Sequence, residues 1–305
     1  MKTSLVELHF CIRRYNNNMN STRGFEHLPL VAKALNHLYR EFGHKHIKSF
    51  TVTFCCNGLE STFRTDPIIA TQQLAKEIAS HYRLLVTTVV ATFSSTLQTP
   101  GRVDLSDSNE FFVEVQSQYR SNLKVVAAIL AHEVAHIFLH RCGVRFTDTF
   151  ENEVLTDTTA VYVGFGPTIL NAVHQTTEPY RNSPQVLTRY FGYLTLDEYG
   201  YIIAKRDAIY GSNSANYVQR GTALEGFHSG WSRFNREMTS RPLIPRPWYQ
   251  NAIFLLACRK CNMTTGRKPI AFSCPYCAQG LRIPNACRKL FVHCPTCDSH
   301  YLCYS

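Results

Sequence analysis

The chain has 305 residues, 45% hydrophobic and 12% aromatic, which suffices for a substantial buried core and excludes a disordered or fibrous protein. Its formal net charge of +10 is concentrated at one end, because residues 241–305 hold nine Lys or Arg against one acid, Asp298, a net +8. No stretch approaches the roughly 18 consecutive apolar residues of a membrane span, and the apolar run near Met1 is too short and interrupted for a secretory signal, so a cytoplasmic protein with no membrane partner is expected.

Residues 1–24 are polar, include Asn16-Asn17-Asn18, and show no periodicity, so they are expected to form a loose leader. A helix follows near Leu28 to Phe42, then a strand at Thr51 to Cys55. Asp66-Pro67 opens a helix to about His81, and the β-branched run Leu84 to Phe93 reads as a strand. Gly101 to Leu105 and Phe111 to Val115 read as short strands. Val125, Val126, Ile129, Leu130, Val134, Ile137 and Phe138 recur at helical spacing, which predicts a central amphipathic helix from about Asn122 to His140, capped beyond its end by Gly143. A second helix is expected from Phe150 through Glu153, Asp157 and Val161 towards Gly164. A third begins at Thr195, whose T-L-D-E sequence to Glu198 has capping-box form, and a fourth covers about Ala215 to Arg236. Three prolines in Ser240 to Trp248 cannot continue a helix and predict a semi-rigid linker. The expected organisation is therefore a leader (1–24), an α+β domain (25–240), a Pro-rich linker (241–250) and a Cys-rich module (251–305).

His132-Glu133-Val134-Ala135-His136 is H-E-x-x-H, and on a helix the four-residue step puts both imidazoles on one face, where they can hold a single Zn²⁺. Glu133 lies beside them and can take a proton from the water on that metal. A catalytic zinc takes three protein ligands and keeps a fourth position for water. His140 lies a further turn along the helix axis, too far to close the site, and is read as packing or rim. Glu153 opens the next helix in Asn152-Glu153-Val154-Leu155-Thr156-Asp157 and offers a carboxylate to the first. Asp157, one turn on, can accept the second N–H of a ligand histidine and fix its tautomer. Glu151 competes for the ligand role but has no carboxylate four residues later.

H-E-x-x-H followed by N-E-x-x-x-D resembles the glutamate-zincins, the thermolysin-like and prenyl-protease-like zinc peptidases, over about residues 125–170. The 17-residue step from His136 to Glu153 differs slightly from the thermolysin pattern. The resemblance implies a zincin-like fold, His132, His136 and Glu153 as ligands, Glu133 as base and Asp157 as the residue behind a ligand. It also implies an edge strand that holds substrate extended, for which Phe111 to Val115 is the candidate. The family's later oxyanion-stabilising residue has no matching motif here; His174, Tyr217 and His228 are candidates. In the mechanism that follows, Zn²⁺ lowers the pKa of its water towards about 7, and Glu133 removes the proton and returns it to the leaving amine.

Of 12 cysteines, eight follow residue 241, and six form the pairs Cys258-x-x-Cys261, Cys274-x-x-Cys277 and Cys294-x-x-Cys297. That spacing favours metal in a reducing compartment over disulfides. Four thiolates leave no open position, so such a zinc folds the module and does not catalyse. Cys-Pro-x-Cys occurs at both 274 and 294, and Leu281-Arg282-Ile283-Pro284 between them resembles a zinc-ribbon repeat, so Cys274, Cys277, Cys294 and Cys297 are the preferred set. Cys258 and Cys261 form an alternative or second site, with Cys287 or Cys303 in reserve, while Cys11, Cys55, Cys56 and Cys142 read as small buried residues. The leading expectation is a zinc endopeptidase acting on protein or peptide, its basic ribbon recruiting substrate, an acidic partner or nucleic acid. The order of zincin then ribbon is similar to the SprT-type peptidases that act on DNA-crosslinked proteins, although that family takes its third ligand from a histidine. The alternatives are a non-catalytic scaffold or nucleic-acid-binding protein that keeps a zincin fold, and a protease switched on by a partner.

Overall fold

The computed structural model describes residues 12–14, 23–50, 53, 54, 56, 58–84, 88–106, 109–180, 183–240, 242–245, 252, 268–285 and 288–305, with side chains except at 12–14 and 174–189. Most of the leader, most of the strand expected at Thr51 to Cys55, most of the linker, Cys11, Cys55, Cys258, Cys261 and Cys287 lie outside these residues; within the leader, which was expected to be loose, Ile12–Arg14 form a strand. The chain is mixed α/β.

Strand β1 (Ile12–Arg14) precedes α1 (Leu28–Lys48), which breaks at Gly43 (φ 70°, ψ 156°) one residue beyond the expected end at Phe42. Helix α2 (Glu60–Thr65) was not legible in the sequence. Helix α3 (Pro67–His81) starts at the expected Asp66-Pro67, whose aspartate accepts from the amides of Ile68 and Ile69 and whose proline supplies a ready φ. Strands β2 (Thr88–Ser94), β3 (Gly101–Asp104) and β4 (Glu110–Gln116) form one sheet in the order β2-β4-β3, with β2 parallel to β4 and β3 antiparallel to it. The strand containing Phe111 to Val115 is thus central, and the edges of this sheet are β2 and β3. This corrects the expected substrate-holding edge, because alternation of buried Phe111, Val113 and Val115 marks a core-facing strand in either position.

Helix α4 (Leu123–Arg141), capped by Asn122, is buried along every face from Val125 to Leu139. The expectation of an amphipathic helix is corrected: it is apolar all round and runs through the core under the β2-β4-β3 sheet. Among the described residues it is the helix long and apolar enough to cross a membrane, yet 89% of that stretch is buried inside the protein.

Helix α5 (Thr149–Ala160) is capped by Asp148 and passes through a π-turn, Val161–Phe165, at Gly164 (φ 127°) into α6 (Gly166–Asn171). A hairpin unforeseen in the sequence follows, β5 (His174–Tyr180) and β6 (Ser183–Phe191), with β1 on its other edge. Helix α7 (Leu196–Tyr210) has the expected capping box, the Glu198 amide donating to Thr195 Oγ1 (3.1 Å) and the Thr195 amide to Glu198 Oε2 (2.9 Å). The fourth expected helix divides: a 3-10 turn at Ser214–Tyr217, then α8 (Thr222–Thr239) after Gly221.

The C-terminal module is two hairpins, β7 (Ile270–Ser273) with β8 (Gly280–Ile283) and β9 (Lys289–Cys294) with β10 (Ser299–Tyr304). It packs on the body of the protein. The Tyr162 hydroxyl donates to the Tyr276 carbonyl (3.1 Å) and pairs with the Tyr39 hydroxyl (2.8 Å), and Asn36 donates to Gln279 (3.0 Å).

Candidate metal centres

Helix α4 carries His132 and His136 one turn apart, and α5 packs across it so that Glu153 faces both rings. His132 Nε2 lies 3.1 Å from His136 Nε2 and 3.2 Å from Glu153 Oε2, and His136 Nε2 lies 3.3 Å from the same oxygen. A tetrahedral ion held at about 2.0–2.1 Å has edges of about 3.3–3.4 Å, so the three atoms already outline one face of its coordination shell. The group could hold a metal ion.

Behind the ligand atoms each imidazole is oriented by its other nitrogen. His132 Nδ1 meets Asp157 Oδ1 at 2.8 Å, as the sequence suggested, and Asp157 Oδ2 is fixed by the Tyr193 amide (2.6 Å) and the Tyr199 hydroxyl (2.9 Å). A Cβ at Gly192 (φ 103°) would stand 2.8 Å from Asp157 Oδ2 and 1.8 Å from the Tyr199 oxygen, so only glycine lets the chain pass here. His136 Nδ1 meets Thr156 Oγ1 at 3.2 Å, and that hydroxyl also donates to the Asn152 carbonyl at 3.0 Å. Thr156, Tyr193, Tyr199 and Gly192 were missed in the sequence. Thr156 had a signal, since it directly precedes Asp157 on a face one turn from Glu153; Gly192 and Tyr193 are placed by the turn before α7, and Tyr199 by α7 itself, far along the chain.

The electrostatics fit a cation. Burial tends to neutralise His132, but hydrogen bonds and charge from Asp157 and Glu153 outweigh it and lift its pKa to about 10. Burial pulls His136 down against the opposing pull of Glu153. Glu153, although buried, is lowered to about 2 by the His136 charge and hydrogen bonds from both histidines. Glu133 is pushed up to about 8, first by burial and then by Glu153, with the His132 charge opposing. Glu133 Oε2 and Glu153 Oε1 are buried without a hydrogen-bond partner. A metal and the water on it would satisfy both.

Gly101, first residue of the edge strand β3, lies directly over this acid: a Cβ there would stand 2.6 Å from Glu133 Oε1 and 2.5 Å from Ile129 Cγ2. Tyr193 covers the other side, its ring 6.3 Å from His132 at 24°, with Phe150 packed edge-on to Tyr193. The cluster is closed, with His132, Glu133, His136 and Glu153 at most 3% exposed. A cavity of about 540 Å³ beside the start of α4, lined by Asn122, Lys124, Asn171 and Tyr217, includes none of these four residues.

The remaining candidates are not gathered there. Glu151 is ion-paired with Lys33 (2.5 Å), His140 and His228 are exposed, Tyr217 is exposed on that cavity, and the side chain of His174 lies outside the described residues.

The second centre is formed by Cys274, Cys277, Cys294 and Cys297, all fully buried. Sγ atoms of Cys274 and Cys297 are 3.7 Å apart, and those of Cys277 and Cys294 3.6 Å. A tetrahedral ion with metal–sulfur bonds of about 2.3 Å requires about 3.8 Å. Crowding forces the thiols apart in acidity: hydrogen bonding with Cys274 drives Cys277 up and Cys294 down. Each knuckle ends on a left-handed residue, Ala278 (φ 59°) and Asp298 (φ 51°). Cys303 is buried in β10, its thiol raised to about 11 by burial, and stands apart from the cluster. Cys56 is half-buried and Cys142 exposed at the end of α4, which corrects the expectation that both are core residues. No protein-family model, curated protein or solved structure matches this chain.

Proposed function

We propose that the chain is a zinc-dependent endopeptidase in which His132, His136 and Glu153 hold the catalytic ion and the four-cysteine centre is structural zinc. The observation that carries this reading is the triangle of ligand atoms with edges of 3.1, 3.2 and 3.3 Å, beside an acid, Glu133, whose Oε2 is buried and unpartnered. When bound, Zn²⁺ would polarise a peptide carbonyl and bring the pKa of a water to about 7.

The rest falls to the chain's own groups. Asp157 accepts the His132 Nδ1 proton and so keeps the Nε2 lone pair directed inward; Thr156 does the same for His136. Glu133, pushed up to about 8 by burial, is poised near neutrality to accept a proton from water and deliver it to the departing amine; a bound cation would draw it partway back down. A purely structural centre has no use for a buried carboxyl in this position. The edge strand β3 is antiparallel to β4 and begins at Gly101 over Glu133, so an extended peptide adding along its free side would pass the acid. The burial of the cluster implies that substrate entry requires displacement of Tyr193 and Phe150 or their neighbours.

The basic exposed residues of the ribbon, Lys268, Arg282, Arg288 and Lys289, are where this reading places recruitment of an acidic partner or nucleic acid. The test of the activity is hydrolysis of unfolded casein by the zinc-loaded protein. Glu133→Gln is expected to lose about 10²–10⁴-fold in rate with zinc retained; equal rates would leave a metal-held scaffold.

A further inference from the structure

A third group of ligating side chains lies on the outer face of the terminal hairpin, apart from both centres above. Strand pairing sets His293 directly opposite His300, and because Val292, Cys294 and Tyr301 point inward, both imidazoles stand on the solvent face. The rings are stacked, 4.4 Å apart and 21° from parallel. Asp298 turns back onto them, its Oδ1 2.8 Å from His293 Nε2. One ligand atom from each of the three residues lies within 4.8 Å of the others.

Aspartate is among the residues that favour left-handed backbone, and the equivalent position of the other knuckle holds Ala278, so the conformation admits a carboxylate without requiring one. What the aspartate adds is an anionic oxygen beside two imidazoles. Two imidazoles and one carboxylate suit a borderline divalent ion such as Zn²⁺. His293 directly precedes Cys294 and Asp298 directly follows Cys297, so a filled four-thiolate centre, with its net charge of −2, sits next to the group and draws a second cation to it.

We infer that His293, Asp298 and His300 form a third, solvent-facing zinc site, with its remaining coordination positions open to water. Its side chains are exposed (49% for His293 and 63% for Asp298), so its ion exchanges with free zinc while the two buried ions do not. The site stands independently of the peptidase reading.

The test uses the full chain with both buried centres filled, titrated calorimetrically with Zn²⁺ while the imidazole C–H resonances are followed. About one further equivalent is expected, with selective shifts at His293 and His300. The His293→Gln/His300→Gln variant should lose that equivalent and keep both buried metals, and Asp298→Asn should weaken it about tenfold or more. Retention of the cysteine-bound zinc reports that the variants are folded. Absence of the third equivalent in the wild type, its survival in the double variant, or unshifted resonances at these histidines overturns the proposal.

Discussion

Replacing Gly101 with alanine adds one methyl group, and the structure says where it goes. The new Cβ would stand 2.5 Å from Ile129 Cγ2 and 2.6 Å from Glu133 Oε1. Ordinary carbon contacts lie at about 3.5–4.0 Å, so the neighbours must yield by about 1 Å. Gly101 has ordinary negative-φ backbone, and alanine fits it without strain, so the effect is purely steric. Ile129 lies within the buried length of α4 and cannot rotate freely, which leaves the Glu133 carboxylate as the group that moves. Overpacking of this kind costs about 1–3 kcal/mol of stability, and a 1 Å displacement of a catalytic group costs about 10²-fold in rate. None of the three proposed ligands is among the atoms met, so zinc content should stay at the wild-type level. The assay is casein hydrolysis beside zinc content and thermal midpoint. Wild-type turnover in a folded, zinc-loaded Gly101→Ala protein would refute the assignment of Glu133 beneath the edge strand as the base.

Other consequences follow from the same geometry. Asp157→Asn removes the negative charge behind His132 and leaves one acceptor oxygen where two now serve His132, the Tyr193 amide and the Tyr199 hydroxyl; zinc affinity at the histidine site should fall about 10–100-fold in a chelator competition, with the cysteine site unaffected. Metal-free His132 is held at about 10 and therefore carries a proton at pH 7, which zinc must displace. Calorimetry in buffers of different ionisation enthalpy should show release of about one proton from this residue at pH 7, and affinity should rise with pH until it levels near pH 10. An affinity independent of pH between 7 and 9 would contradict the raised pKa. Cys294→Ser/Cys297→Ser should empty the ribbon centre, unfold the knuckles and release the Tyr276 carbonyl from Tyr162, lowering the thermal midpoint of the whole chain and not of the ribbon alone.

How far the sequence could be read depended on the range of the interaction involved. The H-E-x-x-H helix, Glu153, Asp157 and the preferred cysteine set rest on short spacings with a metal-ligand logic, and the structure gathers each group as those spacings suggest. Asp66-Pro67 and the Thr195–Glu198 box are local capping chemistry and were equally legible. The edge strand was misplaced because alternation reports burial of one face and says nothing of neighbours on either side. Burial of α4 on all faces, the hairpin at His174–Phe191 and the support of Asp157 by Tyr193 and Tyr199 come from packing between distant segments. The docking of the C-terminal module on α1 and the π-turn, through Asn36 and Tyr162, likewise left no mark in the order of residues.

The most direct measurement is zinc per chain by elemental mass spectrometry after passage over a weak chelator that strips exposed sites. The wild type should retain two zincs, and His132→Ala/His136→Ala and Cys294→Ala/Cys297→Ala should each retain one. A histidine variant that keeps as much zinc as the wild type would contradict the proposed catalytic centre and, with it, the peptidase reading.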